Sequence, residues 1–371
     1  MRSDSMKTLV AVIVLFFFTN SLSGSFLPIY YKDQGLSIAQ ICGLLFLAFA
    51  ILGVFPLVLL KIVKNFERVI SLGIFTTMLF SIALIYLKEP LILGVAQGIS
   101  WATFWPSFNL LQFRLGEARS RARTISLLSS IIPSLAGIAG PATGGIIAER
   151  LGFTSLFATS TVLYLIVFLL STRIHYVPET NGVSIPRNRT FAVFFLTFII
   201  AGLTDTVWLA YPLFVYNISG TVLNMGLLLT AAGVLISAIT FLVNWISDVK
   251  RTRIGFAVIG TLLSAVWYYA LGFATSMNQI IALSILSGFA NAFRTSWFAH
   301  YADSFGVKYY ATMLVMMETG LMLGRVTNLV PTYFLFSQAD YVGYFILMSA
   351  LLLPMIPLYM IARKDNQADK K

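Results

Sequence analysis

GIAGPATGGIIAERLGF, from Gly137 to Phe153, sets a glycine–proline pair and two further glycines inside an otherwise apolar run. In a water-soluble helix Pro141 would cost about 3 kcal/mol, and each glycine up to about 1 kcal/mol against alanine. In lipid the same residues read differently. Helices there gain little from apolar contact with each other, so close packing of small residues becomes a main attraction. A proline's missing hydrogen bond is also tolerated where neighbouring helices cover the backbone. Gly137, Pro141, Gly144 and Ala148 recur three or four apart, and Gly140 with Gly144 makes a G-x-x-x-G. The stretch is a poor helix in water and a shaved one in a bilayer.

Composition selects the bilayer. Of the 371 residues, 58% are hydrophobic and only 11% charged, with a mean hydropathy of +0.87; soluble domains carry roughly 25% charged residues. The single cysteine, Cys42, excludes an internal disulfide framework, and His175 and His300 are too few and too far apart for a metal site. A span needs roughly 20 apolar residues. Such segments fall at 8–31, 39–60, 69–87, 91–113, 124–148 and 151–172, then at 190–216, 222–246, 254–275, 279–301, 309–335 and 341–362. The longest polar break, RIHYVPETNGVSIPRNR (173–189), lies at the midpoint. It separates residues 1–173 from residues 190–371, with 174–189 as a cytoplasmic linker.

The net charge of +11 invites a nucleic-acid reading, which its distribution rejects. With the N-terminus inside, twenty Lys and Arg fall on the inner side, three outside (Lys32, Lys88, Arg150) and two within the membrane, the asymmetry that orients multi-pass proteins. Both termini are then cytoplasmic, with no nucleic-acid partner. Arg2, Lys7 and the apolar run after them mimic a secretory signal, but the run continues to Tyr31 and serves as the first span.

Sliding the chain by 190 residues aligns QGISWATFWPSFNLLQFRLG (97–116) with SGFANAFRTSWFAHYADSFG (287–306) and carries Pro141 onto Pro331; an offset of 184 pairs Pro28 with Pro212. The expected fold is an all-α polytopic membrane protein of twelve transmembrane helices in two pseudo-symmetric six-helix bundles, as in many secondary transporters.

The stretch from Gln97 to Phe153 resembles the major facilitator superfamily: Gln97-Gly98 in segment 4, the charged loop GEARSRART, then GPATGG in segment 5. In that family a Gly-Pro-x-x-Gly-Gly accompanies antiporters. Residues Gly140, Pro141, Gly144 and Gly145 are thus expected at the boundary between halves, facing segment 8. ISDVKRTR keeps the family's inner-loop pattern and implies a cytoplasmic gate at Asp248, Arg251 and Arg253. Its first copy, LKIVKNFER, lacks the acid, and the arginine that precedes Gln-Gly in the family is replaced by Gly94.

No phosphate-binding loop for ATP, dinucleotide loop, nucleophile elbow or metal cluster occurs, so no enzyme and no cofactor is expected, and any transport must draw on a gradient. Ionisable residues inside the membrane are then the functional candidates, each costing ~2.5–3.5 kcal/mol at a helix centre. Four occur: Asp205, Arg294, Glu318 and Arg325. Counting at 1.5 Å per residue, Arg294 and Glu318 should lie at one depth and Asp205 and Arg325 at another, giving two ion pairs. These pairs read either as static braces or as a proton-coupling site. At Asp205 burial and Arg325 act on the proton in opposite senses, so a substrate that displaced the arginine would move a proton.

Family geometry puts segments 1, 4, 7 and 10 around the cavity and offers Asn20, Trp101, Trp105, Asn109, Trp208, Tyr211, Trp297 and Tyr301. Tryptophan is more often an interfacial anchor, but four of the six sit on segments 4, 7 and 10. The resemblance implies a monomeric transporter in a plasma (inner) membrane. Its partners are a small-molecule substrate, a proton or other coupling ion, and the lipid bilayer. Proton-coupled efflux of amphipathic organic compounds is the leading expectation. Transport of an organic anion, sugar or other metabolite bound by an arginine is the alternative, and a non-transporting receptor or lipid-moving protein is the third.

Overall fold

The computed structural model describes residues 3–63, 68–115, 138–174, 185, 188–250, 253–305 and 309–368. These form fourteen helices and, among the described residues, no strand. They are α1 (Ser3–Gly24), α2 (Leu27–Asp33), α3 (Ile38–Ile62), α4 (Val69–Tyr86), α5 (Pro90–Leu115) and α6 (Ala139–Ser171). There follow α7 (Arg189–Leu203), α8 (Ala210–Ser219), α9 (Val222–Lys250), α10 (Arg253–Gly272), α11 (Met277–Asp303), α12 (Tyr310–Ser337), α13 (Tyr341–Leu352) and α14 (Met355–Ala368). Eight stretches of them are long and apolar enough to cross a membrane, so the chain is a multi-pass membrane protein. Helices α5 and α11 are not among the eight, and both carry polar residues of the cavity described below.

Local chemistry explains the helix ends. Ser37 and Ser276 start α3 and α11 as full capping boxes with Gln40 and Gln279, while Asn188 and Asp340 cap α7 and α13. The chain turns at Gly152 (φ 83°) inside α6, joining the end of segment 5 to segment 6; a side chain there would be strained. Three expected single spans are broken. Segment 1 divides at Ser25–Phe26 ahead of Pro28, segment 7 between Leu203 and Ala210 ahead of Pro212, and segment 12 at Leu353–Pro354. A proline clashes with the carbonyl four residues before it, yet fits the first turn of a new helix, where its missing N–H would have had no partner. Most of segment 5 and of the linker lies outside the described residues.

The helices of the first half pack as α3 and α4 on α5, and α1 and α4 on α6; those of the second as α9 and α10 on α11, α7 on α12, and α10 on α13. Across the halves α3 meets α12, α6 meets α9, α5 meets α12 and α2 meets α8. The sequence repeat has a counterpart in these crossings. A Cβ at Gly98 would lie 2.8 Å from Ile51 Cβ on α3, and one at Gly288 3.1 Å from Ile236 Cα on α9. Likewise a Cβ at Gly73 would lie 2.6 Å from Phe104 Cα, and one at Gly260 2.7 Å from Arg294 N.

The small-residue stripe of segment 5 divides its contacts, which corrects the expectation that all of it faces segment 8. Gly140 and Gly144 press on α1, at Ser21 and at the Leu22 carbonyl; only Gly145 and Pro141 meet Gly226 of α9. The Ala142 amide, left without a partner in the first turn of α6, donates to Thr230 Oγ1 of α9 at 3.0 Å. Close glycines recur on segment 11. Gly320 and Gly324 on α12 form a G-x-x-x-G of their own, and Gly324 crosses Gly202 of α7 backbone to backbone.

Candidate functional site

The crossing of Gly202 and Gly324 positions the charges. Arg325 follows Gly324 directly, and Asp205 stands three residues after Gly202 in the non-helical break. With no side chains at the crossing, the two helices come close enough for Arg325 Nε to donate to Asp205 Oδ2 at 2.9 Å. The same oxygen accepts from Trp208 Nε1 at 2.8 Å. The freed backbone of the break is held as well: Asn328 Nδ2 donates to the Asp205 carbonyl at 3.3 Å, and Tyr268 donates to the Thr204 carbonyl.

Glu318 lies seven residues before Arg325, two turns of α12, and so on the same face. Its Oε2 is 3.5 Å from Arg325 Nη1, and its Oε1 accepts from Asn109 Nδ2 of α5 at 3.3 Å. The guanidinium also sits 5.7 Å from the ring centroids of both Phe49 and Trp208, within cation–π range. Trp101 packs on Trp208 at 4.3 Å and on Phe49 at 5.6 Å. One arginine therefore holds two carboxylates and faces an aromatic wall contributed by both halves.

This wall encloses a cavity of about 890 Å³. Asn20, Trp101, Trp105, Asn109, Trp208, Tyr211 and Trp297 line it, with all four membrane charges. Two expectations are corrected. Arg294 is not brought to Glu318, whose cation is Arg325; Arg294 makes no ion pair or hydrogen bond among the described residues. Tyr301 is not on the cavity: it is buried in the core against Phe194 and Phe198 and donates to the Met313 carbonyl at 2.7 Å. The side chains of Asp248, Arg251 and Arg253 lie outside the described residues.

Sequence reasoning missed Phe49 on α3, Trp267 and Tyr268 on α10, and Tyr359 on α14, all but Phe49 lining the cavity. Counting only four segments around the cavity hid them. The adjacent Trp267-Tyr268 pair sits about 100° apart on its helix and offers polar ring groups to the interior, but nothing in the sequence alone marks it out from the other aromatic pairs. No group of three His, Cys, Asp or Glu that could hold a metal occurs among the described residues.

Residues 193–371 match the family model described as Major Facilitator Superfamily. No curated protein matches the sequence. Among solved structures, the human organic anion transporter MFSD10 (TETRAN) superposes with a TM-score of 0.68 at 13% identity, covering 95% of this chain and 99% of that one. The E. coli fucose:proton symporter FucP gives 0.68 at 14% identity, covering 95% and 98%. A further FucP structure, in the outward conformation, gives 0.67. The chain thus has the fold of these transporters, and its C-terminal half carries the family's sequence pattern.

Proposed function

We propose that the whole chain is a major facilitator superfamily transporter and not an enzyme. It would move a small amphipathic organic molecule by alternating access, coupled to protons through Asp205, Arg325 and Glu318. The observation that carries the reading is the cavity: about 890 Å³, lined by both halves and holding every ionisable residue of the membrane interior that the sequence singles out. Residues 1–173 and 190–371 are the bodies that rock about it, in a plasma membrane with both termini in the cytoplasm, the monomer being sufficient. Contacts of α6 with α9 and of α3 with α12 are the surfaces that open and close. The second supports this role with Thr319 Oγ1 donating to the Gly53 carbonyl at 3.0 Å across the halves.

Efflux is the direction that the GPATGG resemblance supports. Of the four residues of that pattern, Gly140 and Gly144 pack on α1 within their own half, and Pro141 and Gly145 meet α9 across the halves.

Reconstitution of the purified chain in liposomes with an imposed pH gradient tests the reading. Gradient-driven movement of a member of a mixed set of ring-bearing solutes is expected. Gly226→Leu, which forces side-chain atoms against the Pro141 carbonyl of α6, should lower the rate at least tenfold. Glu318→Gln should leave binding and remove the pH dependence. A wild-type chain that moves none of the set, or a Gly226→Leu chain that moves it at the wild-type rate, would count against alternating access here.

A further inference from the structure

Four charges line the cavity, two carboxylates and two arginines, and they are unevenly shared. Arg325 contacts both Asp205 and Glu318. Arg294, on α11, faces the same space with no hydrogen bond or ion pair among the described residues. Tyr268 and Tyr359 line the same space, but their hydroxyls donate to the Thr204 carbonyl and toward Met355 Sδ and give Arg294 no counter-charge. A cation lining a membrane cavity without a partner is costly unless something pairs with it, and an arginine fork is shaped for a carboxylate or a similar acid group.

We propose that the cavity takes a ring-bearing organic anion whose acid group sits on Arg294, together with a proton carried by Glu318. The inference rests on the transporter reading and names the substrate class of that site. With both carboxylates ionised, the four groups are already balanced. An added anion would leave the cavity net negative in a low-dielectric surrounding, where unbalanced charge is strongly disfavoured. One proton from solvent onto a carboxylate oxygen restores the balance.

Glu318 is the acceptor on geometric grounds. Asp205 holds two short hydrogen bonds on one oxygen, at 2.9 and 2.8 Å, whereas Glu318 has only a 3.5 Å contact and a 3.3 Å hydrogen bond. Its side chain is 4% exposed against 18% for Asp205. The groups facing Glu318 are Arg325 on its own helix, Asp205 from the break and Asn109 from α5; Arg294 lines the same cavity without contacting it. The other helices packed on α12, namely α3, α7 and α13, add Cys42, Lys61 and Arg189 near their ends, and Tyr341 and Tyr344, among the described residues. The rings of Trp101 and Trp208 supply the surface for the apolar part of the ligand. Anion and proton then travel the same way, which under an inward proton gradient is uptake, opposite to the direction that the helix-5 pattern implies.

The test uses three naphthalenes of one shape: 2-naphthoate, 2-naphthamide and 2-naphthylmethylammonium. Binding to the purified full-length chain in nanodiscs is followed by tryptophan fluorescence, and proton uptake by calorimetry in two buffers of different ionisation heat. The expected result is naphthoate binding about ten- to a hundredfold tighter than either analogue, the range of one charge-assisted contact, with one proton taken up per naphthoate. Arg294→Gln should abolish that preference while Arg294→Lys retains its sign, and Glu318→Gln should abolish proton uptake while naphthoate still binds. Equal or tighter binding of the ammonium would overturn the proposal. So would a preference that survives Arg294→Gln, proton uptake that survives Glu318→Gln, or no binding of any of the three. In liposomes, gradient-driven movement of the amide or the ammonium in preference to naphthoate sinks the anion site and leaves the transporter reading standing. Naphthoate bound through Arg294 but never moved sinks transport and leaves the site.

Discussion

At corresponding places the two halves share a skeleton and differ in chemistry. Gly73 lets α4 approach α5 at Phe104, and Gly260 lets α10 approach α11 at Arg294. Pro28 and Pro212 each open the second piece of a broken span. Seven residues ahead of Pro28 stands Ser21; seven ahead of Pro212 stands Asp205. Phe104 is buried and stacks on Phe16 at 3.7 Å, whereas Arg294 points its charge at the cavity. Small residues and prolines, which set how closely backbones pass and where helices break, recur in both halves. The charged residues of the cavity have no counterpart among the described residues of the first half. Among the described residues, the frame of close crossings and helix breaks is common to both halves, and the charges on the cavity come from the second.

The largest break in this comparison comes from removing the cation that the first half lacks. Arg325→Met leaves Asp205 and Glu318 buried around one site without a counter-charge. Stranding a buried pair in this way costs about 3–5 kcal/mol, read as a fall of several degrees in melting temperature in detergent. Adding Asp205→Asn and Glu318→Gln should recover most of it, because the loss lies in the stranded acids and not in the arginine's packing. An Arg325→Met chain as stable as the wild type would show that the network does not brace α7 against α12.

A smaller effect should separate the two equivalent crossings. Gly73→Ala and Gly260→Ala each place a Cβ 2.6–2.7 Å from the backbone of the partner helix, so both helices must shift, at about 1–3 kcal/mol. Similar thermal shifts are expected for the pair. Naphthoate binding should part them, since only the Gly260 crossing carries Arg294; it should weaken several-fold in Gly260→Ala and stay unchanged in Gly73→Ala. Equal binding in both variants would remove Arg294 from the substrate site.

Composition and apolar run length made the helical, multi-pass architecture legible in the sequence, because bilayer thickness imposes one length on every span. The cost of membrane charges made Asp205, Glu318, Arg294 and Arg325 legible as candidates. Their partners were less so. Depth counting brings Asp205 to Arg325, but it also pairs Arg294 with Glu318, because depth says nothing of rotation about the helix axis. The seven-residue spacing of Glu318 and Arg325, two turns on one face, held the missing information. Tyr301 failed for a similar reason: family geometry put its whole segment around the cavity, while the packing of α7 covered this residue with Phe194 and Phe198. The extent of the α7/α8 break could not be read from Pro212 alone, since side chains distant in sequence hold it open.

That last point yields the smallest and most local difference between the halves. Pro28→Ala and Pro212→Ala should each change stability by no more than about 1 kcal/mol, since alanine fits the first turn of a helix and mainly frees the unfolded chain. Their effects on the breaks should diverge. The α1/α2 break spans only Ser25 and Phe26, and restoring the backbone N–H at position 28 lets a continuous helix form through it. The α7/α8 break spans Thr204 to Leu209. Its carbonyls are taken by Asn328 and Tyr268, and its carboxylate by Arg325 and Trp208; an added N–H at position 212 competes with none of these. Hydrogen exchange should therefore show new protection around residues 25–28 in Pro28→Ala and none around residues 204–209 in Pro212→Ala. Closure of both breaks would mean that proline alone shapes them and that the charge network merely occupies a gap made for it. An open break in Pro212→Ala would mean that the network holds its own binding site apart.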